Sequence, residues 1–234
     1  YIKENTKHPM RNRMDLVRHV AASISQLHNR DYLHNDIKPQ NLLYVDHDTK
    51  NPLRLIDFQL ACPERDVDDL FGASKGRLGT EGYQAPEVLL LGAREVSRKS
   101  DIWALGCTAY YILTGREVFD RKGIVGAEDI ESLLEEMRKN LDDPIITSEQ
   151  MVAEGVHGNV ARVLAGMLVP RKSRRNSELV VFLNGLCKLE NENCNVILNV
   201  DSSDIPNREI ESRIREEFPN WALKDHRQWN RWVF

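Results

Sequence analysis

A mainly α fold carrying one short β-hairpin is predicted for this chain, on three observations. In residues 14–33 the apolar side chains Val17, Val20, Ala21, Ile24 and Leu27 recur at helical spacing, so a helix there can bury one face. Residues 102–113 are apolar almost all round, the pattern of a helix enclosed on every side, and Thr114-Gly115 ends it. Residues 42–45 and 53–56 are short strand-like runs separated by the polar turn 46–52, which predicts the hairpin.

The remaining elements follow in order. Residues 60–75 are polar and acidic with few apolar anchors, a composition suited to a mobile loop. Gly126-Ala127-Glu128 leads into an amphipathic helix through about Met137, and further helices are expected over 160–168 and 178–189. Beyond Glu190 the pattern loosens: 191–193 reads as a linker, 196–200 is an apolar run, and 208–218 suits a helix. Trp221, Trp229 and Trp232 fall in the last 14 residues, and aromatics near a chain end more often dock on the chain's own core than on a partner. No internal repeat or low-complexity tract is present.

With 234 residues, 41% hydrophobic and 29% charged, the chain can bury a sizeable core. Its net charge of −4 offers nothing to attract nucleic acid or an anionic membrane, so neither is expected as a partner. No apolar run approaches the roughly 20 residues that span a bilayer, and no basic-then-apolar leader follows Tyr1. Cys62, Cys107, Cys187 and Cys194 are scattered, without metal-like or disulfide-framework spacing. Free thiols in a reducing compartment, cytoplasmic or nuclear, are the expectation.

Two strings carry the chemistry: His34-Asn35-Asp36-Ile37-Lys38-Pro39-Gln40-Asn41, and Asp57-Phe58-Gln59. Phosphoryl transfer needs a group to accept the proton of an attacking hydroxyl, which Asp36 offers. It needs Mg²⁺ to bridge phosphates, for which Asn41 and Asp57 supply oxygens. It gains from a cation near the transferred group, which Lys38 offers. Together the strings resemble the catalytic loop and magnesium motif of eukaryotic protein kinases, usually His-Arg-Asp-x-x-x-x-Asn and Asp-Phe-Gly. Gly79-Thr80-Glu81-Gly82-Tyr83-Gln84-Ala85-Pro86-Glu87 is similar to the end of that family's activation segment. Ser100–Gly106 is similar to the start of its buried central helix, and Met167–Pro170 with Arg174 and Arg175 to its late arginine motif.

The resemblance implies a protein-kinase-like large, C-terminal lobe over 1–189, followed by an extension over 190–234 packed on it. It implies ATP and Mg²⁺ as ligands and a protein as substrate, and it leaves the oligomeric state open. It places Leu43 under the adenine ring, Ile56 just before the metal aspartate, and Thr80 where the acceptor hydroxyl docks. His34 and Phe58 become members of a column of stacked core side chains. Asp101 becomes the anchor of the catalytic-loop backbone, and Glu87 the partner of Arg174 or Arg175. Lys38 and Thr80 together resemble the serine/threonine branch. No Gly-x-Gly-x-x-Gly and no Val-Ala-Ile-Lys-like strand occurs, so the small nucleotide-roofing lobe is expected to be missing from this chain. Such a chain alone is expected to be nearly inactive.

Three departures from the family's pattern bear on mechanism. Asn35 replaces the arginine that commonly clamps a phosphate on the activation loop, so activation through a phosphate, for instance on Ser74, is not expected. Gln59 replaces a glycine, and glutamine reaches some backbone angles only at a cost. Gln40 and Tyr111 stand where relatives favouring arginine-rich peptides carry glutamates, which argues against a basic substrate. A serine/threonine kinase is thus the expected function. The rival is a non-catalytic pseudokinase or lobe-only scaffold that binds protein partners.

Overall fold

In a computed structural model of the chain, the residues described are 10–45, 53–71, 78–119, 130–176, 198–200, 222–226 and 229–233. Helix α1 (Met10–His28) buries the predicted stripe, with Val17, Val20, Ala21, Ile24 and Leu27 all nearly inaccessible. It stops earlier than the apolar pattern suggests, because Asp31 turns the chain in the left-handed region (φ 60°) and Tyr32–Leu33 become strand β1. A loop and a short 3₁₀ turn (Pro39–Asn41) lead to β2 (Leu42–Tyr44), which pairs antiparallel with β3 (Leu53–Leu55) as Leu42↔Leu55, Leu43↔Arg54 and Tyr44↔Leu53. The next strand, β4 (Cys62–Pro63), returns antiparallel to β1 and closes a second two-stranded ladder.

Over its described part, residues 60–71, the 60–75 segment departs from the mobile loop expected of it. After β4 it forms a 3₁₀ turn (Glu64–Asp66) and helix α2 (Val67–Phe71). The anchors are few but sufficient: Ala61, Cys62 and Val67 are all buried. Ser74 lies outside the described residues.

Helix α3 (Pro86–Leu91) starts on a proline, which needs no hydrogen-bond partner at that position. Helix α4 (Arg98–Thr114) is the predicted enclosed helix, buried from Ser100 through Tyr110 and again at Ile112 and Leu113. Gly115 ends it in the left-handed conformation (φ 76°), its N–H donating to the Tyr111 carbonyl at 2.8 Å. Helices α5 (Ile130–Lys139), α6 (Ser148–Ala153) and α7 (Gly158–Met167) follow. At α6 the Thr147 hydroxyl accepts from the Gln150 N–H while the Gln150 carboxamide accepts from the Thr147 N–H, a reciprocal cap.

The core is one contiguous cluster in which α1 packs on α4, and α4 in turn on α7. Cys62 and Cys107 sit in it as free thiols, and burial pushes Cys62 up to about 12. Towards the chain end, β5 (Leu198–Val200), β6 (Ala222–His226) and β7 (Trp229–Val233) form an antiparallel sheet in the order β5-β7-β6, with β5 beside β3. The expected helices over 178–189 and 208–218, the linker 191–193 and Trp221 lie outside the described residues. No helix among the described residues is long and apolar enough to cross a membrane.

Candidate active site

The loop between β1 and β2 is held from beneath by the start of α4. The buried Asp101 carboxylate accepts from the backbone N–H groups of His34 and Asn35, both at 2.9 Å, and from His28 Nε2 at 2.9 Å. Three donors on one carboxylate fix the loop's path before any side chain of the site is considered. His28, at the end of α1, was not read as a site residue from sequence. As one of several histidines without a motif around it, it gave no signal.

His34 is fully enclosed. Burial pushes its pKa down, and the nearby carboxylates of Asp101, Asp36 and Asp57 only partly offset this. The neutral ring has a defined tautomer. Nδ1 accepts from the Asp36 N–H at 3.3 Å, so Nε2 carries the proton and donates to the Ile56 carbonyl at 3.2 Å. Phe58 meets the ring edge-on with centroids 4.9 Å apart. His34 thereby joins the loop to the end of the hairpin.

Around Asp36 three polar side chains converge. Lys38 Nζ donates to Asp36 Oδ2 and to Thr80 Oγ1, both at 2.7 Å, and the Thr80 hydroxyl donates to Asp36 Oδ1 at 2.7 Å. Asn41 Nδ2 donates to the Asp36 carbonyl at 2.8 Å and to Asp36 Oδ2 at 3.0 Å. Burial by itself would raise the Asp36 carboxyl. The hydrogen bonds from Lys38 and Thr80, the Lys38 charge and the Asn41 bond outweigh it and hold the pKa below the usual carboxylate value. The group is therefore a carboxylate with both oxygens aimed and engaged.

Both partners of Asn41 Nδ2 are pure acceptors, which fixes the amide orientation and turns its oxygen the other way. The Ile56 N–H donates to the Asn41 carbonyl at 2.9 Å, extending the β2–β3 ladder by one rung and setting Asp57 one residue beyond Asn41's partner. Asp57 takes φ 63°, a conformation an aspartate tolerates. Gln59 is not left-handed, so the cost expected there does not arise, and the positive φ of this motif sits on Asp57. An amide oxygen and a carboxylate make a hard-oxygen pair suited to Mg²⁺, which takes one or two protein groups and fills its sphere with phosphate oxygens and water. No cluster of three or more His, Cys, Asp or Glu side chains fit for a metal occurs among the described residues. Leu43 and Ile56, two residues after Asn41 and one before Asp57, are both half-buried, with the buried Arg54 opposite Leu43.

The segment 78–87 is docked on the loop by close backbone approach. A Cβ on Gly79 (φ +93°) would lie 2.6 Å from the Asn35 carbonyl oxygen, so only glycine fits. Gly79→Ala is expected to push Thr80 away from Asp36. Its signature is a large loss of turnover and a lowered melting temperature in the same variant. An unchanged melt and rate would show that the contact is dispensable.

Glu87 and Arg175 form a bidentate pair at 2.7 and 2.8 Å, with both side chains buried. Of the two arginines expected as partners of Glu87, the structure selects Arg175. Arg174 points to the surface, 3.6 Å from Asp142. Residues 171–175 form one tight turn, with the Arg174 and Arg175 N–H groups both donating to the Arg171 carbonyl, and of its residues Arg175 is the buried one, over Trp103 at 4.9 Å.

A family model described as Protein kinase domain matches residues 1–192. This chain belongs to the protein kinase domain family. Among curated relatives, a calcium/calmodulin-dependent serine/threonine-protein kinase of Malus domestica is 36% identical over 104 residues, 44% of this chain and 24% of its own length. A calcium/calmodulin-dependent protein kinase of Emericella nidulans is 34% identical over 122 residues, 52% of this chain and 27% of its own. A type 1 kinase of the same name from Macrobrachium nipponense is 32% identical over 118 residues, 50% and 32% respectively. The chain's matches thus span about a quarter to a third of these relatives, which are protein kinases by name.

Proposed function

We propose that this kinase-domain chain is the C-terminal-lobe part of a serine/threonine protein kinase that transfers the γ-phosphoryl group of Mg-ATP to protein hydroxyls. The observation that carries the proposal is the closed set Asp36–Lys38–Thr80–Asn41, in which one carboxylate is oriented by three different donors. When bound, Mg²⁺ would supply positive charge to offset that of the phosphates. Asn41 and Asp57 are the residues suited to hold it.

The chain's own groups would act as follows. Asp36 receives and orients the acceptor hydroxyl, and takes its proton. Its pKa lies well below neutrality, so orientation comes first and full proton transfer follows late, as suits a loose phosphoryl transfer. Lys38 would stabilise negative charge beside the reacting hydroxyl. Thr80, already bonded to Asp36 Oδ1, marks where that hydroxyl enters. The kinase names of the relatives, with Lys38 and Thr80 at their positions, support serine or threonine as acceptor.

The metal assignment has its own test. In the complete protein that carries this chain, Asp57→Asn is expected to shift the Mg²⁺ requirement upward by at least the roughly 10–100-fold seen when a metal's outer partners are removed. An unshifted Mg²⁺ titration would take the metal role away from Asp57.

Regulation provides a further prediction. Asn35 donates to the Leu60 carbonyl at 2.8 Å and reaches Cys62 Sγ at 3.4 Å, so it ties the loop to the protein's own backbone by neutral bonds. Phosphatase treatment of the active protein is expected to leave its rate nearly unchanged. A large fall in rate would show that another basic group clamps a phosphate.

A further inference from the structure

Thr80 stands on a segment whose tip lies in open space. Glu81 is exposed, and a Cβ on Gly82 would meet nothing within 4 Å. Yet the Thr80 hydroxyl is placed closely enough to donate to Asp36 Oδ1 and to accept from Lys38 Nζ, both at 2.7 Å. The backbone around it is held by a side chain from the far side of the tip. Gln84 Nε2 donates to the Leu78 carbonyl at 2.7 Å and reaches the Gly79 carbonyl at 3.3 Å, six and five positions back along the chain. Both partners only accept, so the nitrogen faces them and the amide cannot be turned over. The side chain is buried, and its oxygen accepts no hydrogen bond from any group among the described residues. Its polar hold there consists of the two nitrogen bonds. Inside the loop that they close, the Tyr83 N–H donates to the Thr80 carbonyl at 3.1 Å.

Both ends of this clamp are fixed. Gln84 immediately precedes Ala85, whose carbonyl accepts from the Val88 and Leu89 N–H groups at the start of α3, and α3 is pinned through Glu87 to the buried Arg175. At the other end Gly79 lies against the carbonyl of Asn35, one residue before Asp36. We propose that Gln84 is a positioning residue: its carboxamide clamps the chain at Leu78 and Gly79 to the root of α3, and so holds the Thr80 hydroxyl on Asp36. It touches no reacting atom itself. An apolar side chain of the same length would fill the space but would leave both carbonyls without this donor.

The clamp is a matter of structure, whereas its effect on turnover rests on the proposed kinase reaction. Two measurements on the complete protein separate them. The first is amide hydrogen exchange at Tyr83, compared with Leu105 in the buried middle of α4. Gln84→Met is expected to speed exchange at Tyr83 roughly tenfold relative to Leu105, the worth of one to two hydrogen bonds lost locally. Equal acceleration at the two positions, or none at Tyr83, overturns the clamp. The second is a double-mutant cycle in kcat with Thr80→Val, which removes the hydroxyl that the clamp places. Gln84→Met is expected to lower kcat roughly tenfold when Thr80 is present and less than about twofold when it is not, with KM for ATP unchanged. A merely structural contribution would cost the same in both backgrounds, so equal losses overturn the positioning role. Gln84→Asn, whose amide is one methylene shorter and cannot span to both carbonyls, takes the place of Gln84→Met in both measurements if that variant does not fold. A wild type that transfers no phosphate removes the kinase reading and leaves the exchange result to decide the clamp.

Discussion

Glu87→Ala is expected to destabilise the protein by about 3–5 kcal/mol, the cost of stranding one member of a buried ion pair. Arg175 cannot escape to solvent: its side chain is 0% exposed and its guanidinium is boxed by Trp103 and by the carbonyls of Val169, Pro170 and Lys99. Those carbonyls satisfy N–H groups but do not neutralise the charge, so the penalty remains large. Arg175→Lys is expected to fare poorly as well, because a single ammonium cannot make the two-pronged contact with Glu87. Arg174→Ala, which removes only an exposed pair, is expected to change stability by no more than about 0.5 kcal/mol. Denaturant unfolding of the three variants checks the ranking. Equal losses at 174 and 175 would contradict the assignment of the inward arginine.

Asp36→Asn carries the largest expected effect on rate. The substitution keeps the side chain's shape but removes the charge, and it sets a second NH₂ group against donors from Lys38, Thr80 and Asn41. Loss of a positioned proton acceptor is worth roughly 10²–10⁴-fold. Nucleotide binding, which depends on other residues, is expected to change little. The pH behaviour follows from the sign of the shift. The folded pKa of Asp36 lies below its unfolded value, so its stabilising contribution is complete above the unfolded pKa and is lost as pH falls through the folded one. No change from this group is expected across the neutral range, and unfolding midpoints measured downward from pH 7 check it.

Much of the site was legible because phosphoryl transfer demands particular side chains at fixed spacing. His34, Asp36, Lys38 and Asn41 are read from one loop, and the hairpin period places Asp57 near Asn41. The enclosed helix α4 was equally plain, since no amphipathic helix is apolar all round. What sequence concealed are contacts between segments distant in the chain. Periodicity does not say that His28 meets Asp101 across 73 positions, or that Arg175 rather than Arg174 turns inward. The short helices α3 and α6 are only six residues each, too brief for a 3.6-residue period to register. The ordered start of the 60–75 segment was missed for a related reason. Its order rests on pairing of Cys62–Pro63 with Tyr32–Leu33, a long-range ladder without a local signature. Asn35 carried a readable hint, because asparagine is enriched in the left-handed region that it adopts.

The central claim is that the Asp36 loop performs phosphoryl transfer to a hydroxyl. The most direct measurement is phosphate incorporation from Mg-ATP into serine- and threonine-containing peptides, by the complete protein and by its Asp36→Asn variant side by side. The account predicts Mg²⁺-dependent phosphate on serine or threonine, reduced roughly 10²–10⁴-fold by the substitution with the fold and nucleotide affinity retained. Equal incorporation by the two proteins, or none by a folded, nucleotide-binding wild type, would contradict it.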